Sequence, residues 1–174
     1  MLRSNEGCIC LIGFQGAGKS SIGRWVATQL GLDFFDLDAC LMAEHGKSSI
    51  QEVYAKLGET RFRLEEQRCA ALIVHRSSYV IAYGGGAVEA LHELPPGAHV
   101  VYLFRSITTL KSELSPPYPQ WIDAADPLPS LQRRWEERHP LYLRRATAVI
   151  VVEKRSVEED GQRVLNIVKV PYGE

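Results

Sequence analysis

One stretch near the start of the chain constrains the fold more than any other. Gly13, Gly16, Gly18, Lys19 and Ser20 fill the pattern G-x-x-x-x-G-K-[ST]. Glycine admits backbone conformations closed to other residues and leaves room beside the chain. Successive N–H groups can then turn inward toward an anion, and the helix that follows adds its own free N–H groups and positive dipole end. The pattern assigns the β- and γ-phosphates of a nucleotide to Lys19 and a magnesium ion to the Ser20 hydroxyl. The context agrees. Ile9 to Ile12 is a short apolar run suited to a buried parallel strand, and Ile22, Trp25, Val26 and Leu30 recur at helical spacing after the turn.

Further strand-like runs follow at Asp33–Asp36, Tyr79–Tyr83, Ala98–Phe104 and Ala148–Val152, after the first at Cys8–Ile12. Helical patterns lie between them: Ser20–Leu30, Ser49–Leu57 with Ser49 and Glu52 spaced as a capping box, about Thr60–Val74, and about Val157–Val168. Strands alternating with helices predict a three-layer α/β/α domain around a five-stranded parallel sheet. In such sheets ligands bind beyond the carboxyl ends of the strands. At 174 residues the chain is expected to form a single domain. Residues 112–130 contain five prolines, which argue against a continuous helix or a central strand; a loop this long suits a lid over a site.

Composition narrows the classes of function. A net charge of −1 gives no basic footprint for nucleic acid, and no apolar run approaches the roughly 20 residues that span a bilayer. "MLRSNEG" carries no apolar signal region, so a cytoplasmic protein is expected. Cys8, Cys10, Cys40 and Cys69 lack metal-type spacing and read as buried reduced thiols.

The remaining candidate residues follow the strands. Asp36 and Asp38, two apart in "FFDLD", would share a face in extended chain; they could hold a metal through water or accept a hydroxyl proton, or one could cap the next helix. Arg63 and Glu66 are helical neighbours, suited either to a solvated surface pair or to an arginine clamp fixed from behind. Gly84, Gly85 and Gly86 directly after a strand allow close approach of the backbone to a ligand. Arg138 stands in "EERHPLYLRRA".

Together, "LIGFQGAGKSSIGR", "FFDLD", "GKSSIQEVYAKLGETRFRLEE", "GGGAV", "VVYL" and "RHPLY" make the chain resemble the shikimate kinase family, from about Ile9 to Arg155. The resemblance implies a P-loop kinase fold and transfer of the ATP γ-phosphate to the 3-hydroxyl of shikimate, with Mg²⁺, in aromatic amino-acid biosynthesis. It implies catalytic roles for Lys19 and Asp38, with ATP binding by Gly16, Ala17, Gly18, Lys19, Ser20, Ser21 and, loosely, Arg155. Asp38, Arg63, Gly85 and Arg138 would bind the substrate, the arginines clamping its carboxylate. Ser20, and Asp36 through water, would hold the metal. Partners are then small molecules, and a monomer is expected. A gluconate-kinase-like enzyme or a nucleotide-binding pseudokinase are the alternatives.

Three positions depart from the family pattern. Asp126 stands where a lid arginine is usual, Ala82 where a Ser or Thr often lies near the metal, and Ser21 where Thr is commoner. Residues 112–130 hold no Lys or Arg, so a cation from outside the loop is expected to reach the phosphates. Arg134 is the first candidate and Lys111 the second, with Arg133 pointing elsewhere.

Overall fold

The computed structural model describes residues 7–74, 76, 78–90, 94–116, 118–119, 121–153 and 156–169. Arg155 lies outside the described residues. Five strands, β1 (Gly7–Ile12), β2 (Asp33–Asp36), β3 (Ser78–Ala82), β4 (His99–Phe104) and β5 (Ala148–Val151), form one parallel sheet in the order β2-β3-β1-β4-β5. The expected strands are all present, with ends shifted by a residue at most.

Strand β1 sits at the centre and shows why its sequence is apolar throughout. Cys8, Cys10 and Ile12 face one core cluster while Ile9 and Leu11 face the other. All five are buried, as a strand covered on both faces requires. The four thiols are free; Cys8, Cys10 and Cys69 are buried, whereas Cys40 is partly exposed.

The helices are α1 (Lys19–Leu30), α2 (Leu37–His45), α3 (Ile50–Val74), α4 (Ile107–Glu113), α5 (Pro127–Arg145) and α6 (Val157–Val168). The two patterns read from the sequence at 49–57 and 60–74 are one helix broken at Gly58, whose φ of 70° and ψ of 166° no helix contains. The Ser49 hydroxyl accepts from the Glu52 amide as expected, but the Glu52 carboxylate turns to Ser48 instead.

The proline-rich segment is shorter than the sequence suggested. Pro127 and Pro129 do not interrupt a helix; they sit in the first turn of α5, where their missing N–H groups have no helical partner to lose. Between α4 and α5, the described residues form no helix or strand and pack back on the sheet end, burying Ile122 and setting Trp121 edge-on to Phe14 at 5.8 Å. Among the described residues no helix is long and apolar enough to cross a membrane.

Candidate active site

The loop joining β1 to α1 makes the first wall of the site. Gly13, Gly16 and Gly18 hold φ values of 150°, 79° and 78°, which side chains resist. A Cβ on Gly13 would also lie 2.5 Å from the Leu103 carbonyl oxygen. Gly18 caps α1 without any side-chain bond, so the first-turn N–H groups stay available to an anion. Lys19 folds over the loop, its Nζ donating to the Gly13 and Phe14 carbonyls at 2.9 Å each. Burial lowers its pKa to about 8, against the pull of Asp38 and Asp36.

The next wall comes from the end of β2, and here the extended reading of the two aspartates fails. Asp36 ends β2 and caps α2, its Oδ1 accepting from the Ala39 amide at 3.2 Å; Asp38 is already in the first turn of that helix. Asp36 takes the capping role and also faces the phosphate loop, because its other oxygen accepts from the Ser20 hydroxyl. That hydroxyl–carboxylate pair is a hard oxygen donor set of the kind Mg²⁺ prefers. Burial raises the Asp38 pKa, opposed by Lys19 and Arg63 and assisted by Asp36.

Arg63 and Glu66, on α3 beyond the break, turn inward and not to solvent. Glu66 is 3% exposed and takes Nη1 of Arg63 at 2.5 Å. Burial pushes its pKa up to about 7 despite that partner. Arg138, from α5, is also buried. Both arginines converge on Glu89, in the short 3-10 turn Ala87–Glu89 that follows the glycines. Glu89 accepts from Arg138 Nε and Nη2 at 3.0 and 3.2 Å, and lies 3.4 Å from Nη groups of Arg63 and Arg134. Burial alone would raise the Glu89 pKa; the arginines hold it below the usual range.

The row of glycines is explained by side chains around it as much as by any ligand. A Cβ on Gly84 would lie 2.6 Å from Asp38 Oδ1 and 2.8 Å from Glu66 Oε1, and one on Gly86 2.1 Å from Arg63 Nη2. At Gly85 the neighbour would be the Gln15 amide nitrogen at 3.1 Å. The Gly85 carbonyl accepts from the buried Tyr142 hydroxyl, which fixes the turn against α5.

These groups enclose a cavity of about 450 Å³. Gly16, Gly18, Lys19, Ser20, Ser21, Asp36, Asp38, Arg63, Gly85 and Arg138 all line it; Ala17 is buried beneath the loop and does not. Ala82 lines it too, and Pro119 and Trp121 reach it from the irregular segment. Asp126 stands apart as the exposed cap residue of α5. Glu89 was missed in the sequence: it is a lone acid in no periodic pattern, and its partners lie 26 and 49 residues away.

The cation candidates fall differently from expectation. Lys111 is exposed in the last turn of α4, and Arg134 is committed to Glu89 and Glu137 with its guanidinium 5.8 Å over Trp121. Among the described residues, Arg105, after β4, reaches the phosphate-binding loop from outside it, its Nη1 donating to the Gly16 carbonyl at 2.9 Å.

Comparison with known proteins bears on this geometry. The Shikimate kinase family model matches residues 15–169. A shikimate kinase of Marinomonas sp. is 34% identical over 171 residues, covering 92% of this chain and 91% of the relative. Among solved structures, shikimate kinase from Acinetobacter baumannii in complex with shikimate superposes with a TM-score of 0.82 at 27% identity, over 93% of this chain and 92% of that one. A gluconokinase from Sinorhizobium meliloti reaches a TM-score of 0.57 at 20% identity over 95% and 93%, a likeness of fold alone.

Proposed function

The chain belongs to the shikimate kinase family, and from that premise we propose how its residues carry out transfer of the ATP γ-phosphate to the 3-hydroxyl of shikimate. The observation that carries the reading is the single cavity with a phosphate loop in one wall and two acid-backed arginines in another, all lined together with Asp38. The arginine pair calls for an acceptor that carries a carboxylate; shikimate and gluconate both do, so the choice between them follows from the family match.

The phosphate loop binds the nucleotide's phosphates through its N–H groups, and Lys19 moves from its carbonyl partners to the migrating phosphoryl group. Phosphoryl transfer makes little covalent demand on the protein; position and charge do most of the work. Asp38 accepts the proton of the acceptor hydroxyl. Its raised pKa and its coupling to Lys19 suit that role. Arg63 and Arg138 hold the acceptor's carboxylate. Arg63 Nε is buried without a protein partner among the described residues, and Nη1 of Arg138 is not used by Glu89. Gly85 presents backbone to the ring, and Ser21 borders the nucleotide.

Mg²⁺ fits the donors present: Ser20 would ligate it, and Asp36 would hold it through water. When bound, the ion neutralises charge on the phosphates. The segment from 114 to 126 acts as the lid, with Trp121 its inner face. A cytoplasmic monomer goes with this reading, and the four free thiols support the reducing compartment.

A coupled ADP-release assay with shikimate and gluconate offered in parallel tests the function. Turnover with shikimate, abolished in Lys19→Ala, is expected. Turnover with gluconate instead assigns another acceptor, and ADP binding with no turnover on either would make the chain a pseudokinase.

A further inference from the structure

The phosphate loop has a cation that neither the motif nor the family pattern supplies. Arg105 follows β4, the strand next to β1, so the sheet brings it beside the loop from 89 residues away. Its side chain is only 12% exposed. One end of the guanidinium, Nη1, donates to the Gly16 carbonyl, and the other, Nη2, pairs with Glu113. Nε is buried without a partner among the described residues. The backbone is fixed as well, since Trp135 Nε1 donates to the Arg105 carbonyl at 3.2 Å.

Both contacts have consequences. Gly16 holds a left-handed φ of 79° and is exposed; its peptide with Ala17 is held on the N–H side by the Phe14 carbonyl, at 3.2 Å, and on the carbonyl side by Arg105. Glu113 is the last residue of α4, the point from which the lid segment departs. A rigid planar fork holds two separated acceptors in a fixed geometry, whereas a lysine ammonium is a point charge on a flexible stem. The lid sequence contains no lysine or arginine.

We propose that Arg105 is a positioning residue that locks Gly16 in the nucleotide-accepting shape of the phosphate loop and ties that loop through Glu113 to the root of the lid. This rests on the kinase reading for the purpose of the site, while its test does not require turnover.

The test measures ADP affinity by calorimetry on the full chain, with KM for ATP and for shikimate alongside. Arg105→Ala is expected to weaken ADP by about 10- to 100-fold, the range for a lost charge-assisted hydrogen bond. The shikimate KM should stay within about twofold, because Arg105 touches none of the acceptor residues. Arg105→Lys, which keeps the charge and one donor, should recover part of the loss. Glu113→Gln, which leaves the Gly16 contact intact, should weaken ADP by about two- to fivefold, as for a partly exposed pair. The assignment is overturned if Arg105→Ala binds ADP as the parent does, if both KM values rise together, or if Arg105→Lys is no better than Arg105→Ala. Should Arg105→Ala fail to fold, Arg105→Lys and Glu113→Gln decide: parental ADP affinity in both removes the proposal. A parent chain that binds ADP but phosphorylates no shikimate sinks the acceptor assignment and leaves this test intact.

Discussion

Replacing Glu89 with alanine isolates the least expected part of the site. The carboxylate makes two hydrogen bonds to Arg138, at 3.0 and 3.2 Å, and Arg138 is 4% exposed. The contacts to Arg63 and Arg134, both at 3.4 Å, are near the limit and contribute little. Deleting one partner of a fully buried ion pair costs about 3–5 kcal/mol, since a charge is left unpaired in a dry place. The Glu89 side chain is 25% exposed, so water reaches the vacated space and about 2–3 kcal/mol remains. At this chain length each kcal/mol lowers Tm by about 2–4 °C, which gives a fall of about 4–12 °C. The kinetic effect should be selective. Without Glu89 the Arg138 guanidinium is left unpaired and loses its aim while Arg63 keeps Glu66, so the shikimate KM rises about tenfold or more while the ATP KM holds. Glu89→Gln, which keeps the shape and one acceptor oxygen, should fall between. Thermal melting and steady-state kinetics with each substrate varied provide the check. An alanine variant that melts with the parent and keeps its shikimate KM would refute the organising role of Glu89.

Asp38→Asn should lower kcat by about 10²–10⁴-fold with ADP affinity nearly unchanged, as for loss of a general base; a selective loss of nucleotide affinity would move Asp38 to the metal. Gly86→Ala should raise the shikimate KM, because the new Cβ would lie 2.1 Å from Arg63 Nη2 and must displace it; an unchanged KM would show that Arg63 is not seated there. ADP affinity should fall as pH rises through about 8, because burial lowers Lys19 to about 8 and only its ammonium form binds phosphate. Calorimetry in buffers of different ionisation enthalpy should then show proton uptake on binding above that pH, and flat affinity would contradict it. Glu66 gives a window in the same direction, in stability: its folded pKa of about 7 lies above the ordinary value of 4.5, so its contribution to stability is full below 4.5 and lost as pH rises through 7. The parent should therefore lose stability relative to Glu66→Gln across that range, measured as the difference in Tm between them.

Local signals carried most of the fold. Five apolar runs and the glycine-rich turn were enough for the sheet: the inner strands β1, β3 and β4 are buried on both faces and read as continuous apolar runs, and the partly exposed edge strands β2 and β5 still carry aromatic or β-branched residues. Helix α2 was not legible. "LDACLMAEH" offers Leu37 and Leu41 to the core but has no polar stripe to set them off, and Asp36 and Asp38 looked like alternate positions of one strand. The break in α3 left a trace, as the helical pattern lapses around Gly58. The site divides in the same way. Lys19, Ser20 and the glycines sit within one motif, whereas Glu89 meets its arginines, and Arg105 the phosphate loop, across 26 to 89 residues of sequence. Spacing carries no information over such separations.

The two ends of the cavity use different physics, and that difference has a consequence for variants. At the phosphate loop the donors are main-chain N–H groups, held by glycine conformations and by Lys19 and Arg105 on loop carbonyls. At the acceptor end the donors are guanidinium groups held by two carboxylates, Glu66 and Glu89, at considerable desolvation cost. Apolar side chains of similar volume would stabilise the fold as well or better, so stability does not account for these pairs. Their effect is orientation: each arginine has one edge fixed by an acid, and on the proposed reading its remaining donors take the ligand. The glycines at 84 and 86 belong to that arrangement, because any side chain there would occupy the space of Asp38, Glu66 or Arg63. Substitutions among Glu66, Gly86, Glu89 and Arg138 should therefore move the acceptor KM together and non-additively, while those at Gly16, Arg105 and Glu113 move the nucleotide terms. Asp38 and Lys19 are the residues through which the two sets meet, since the charge of each acts on the other.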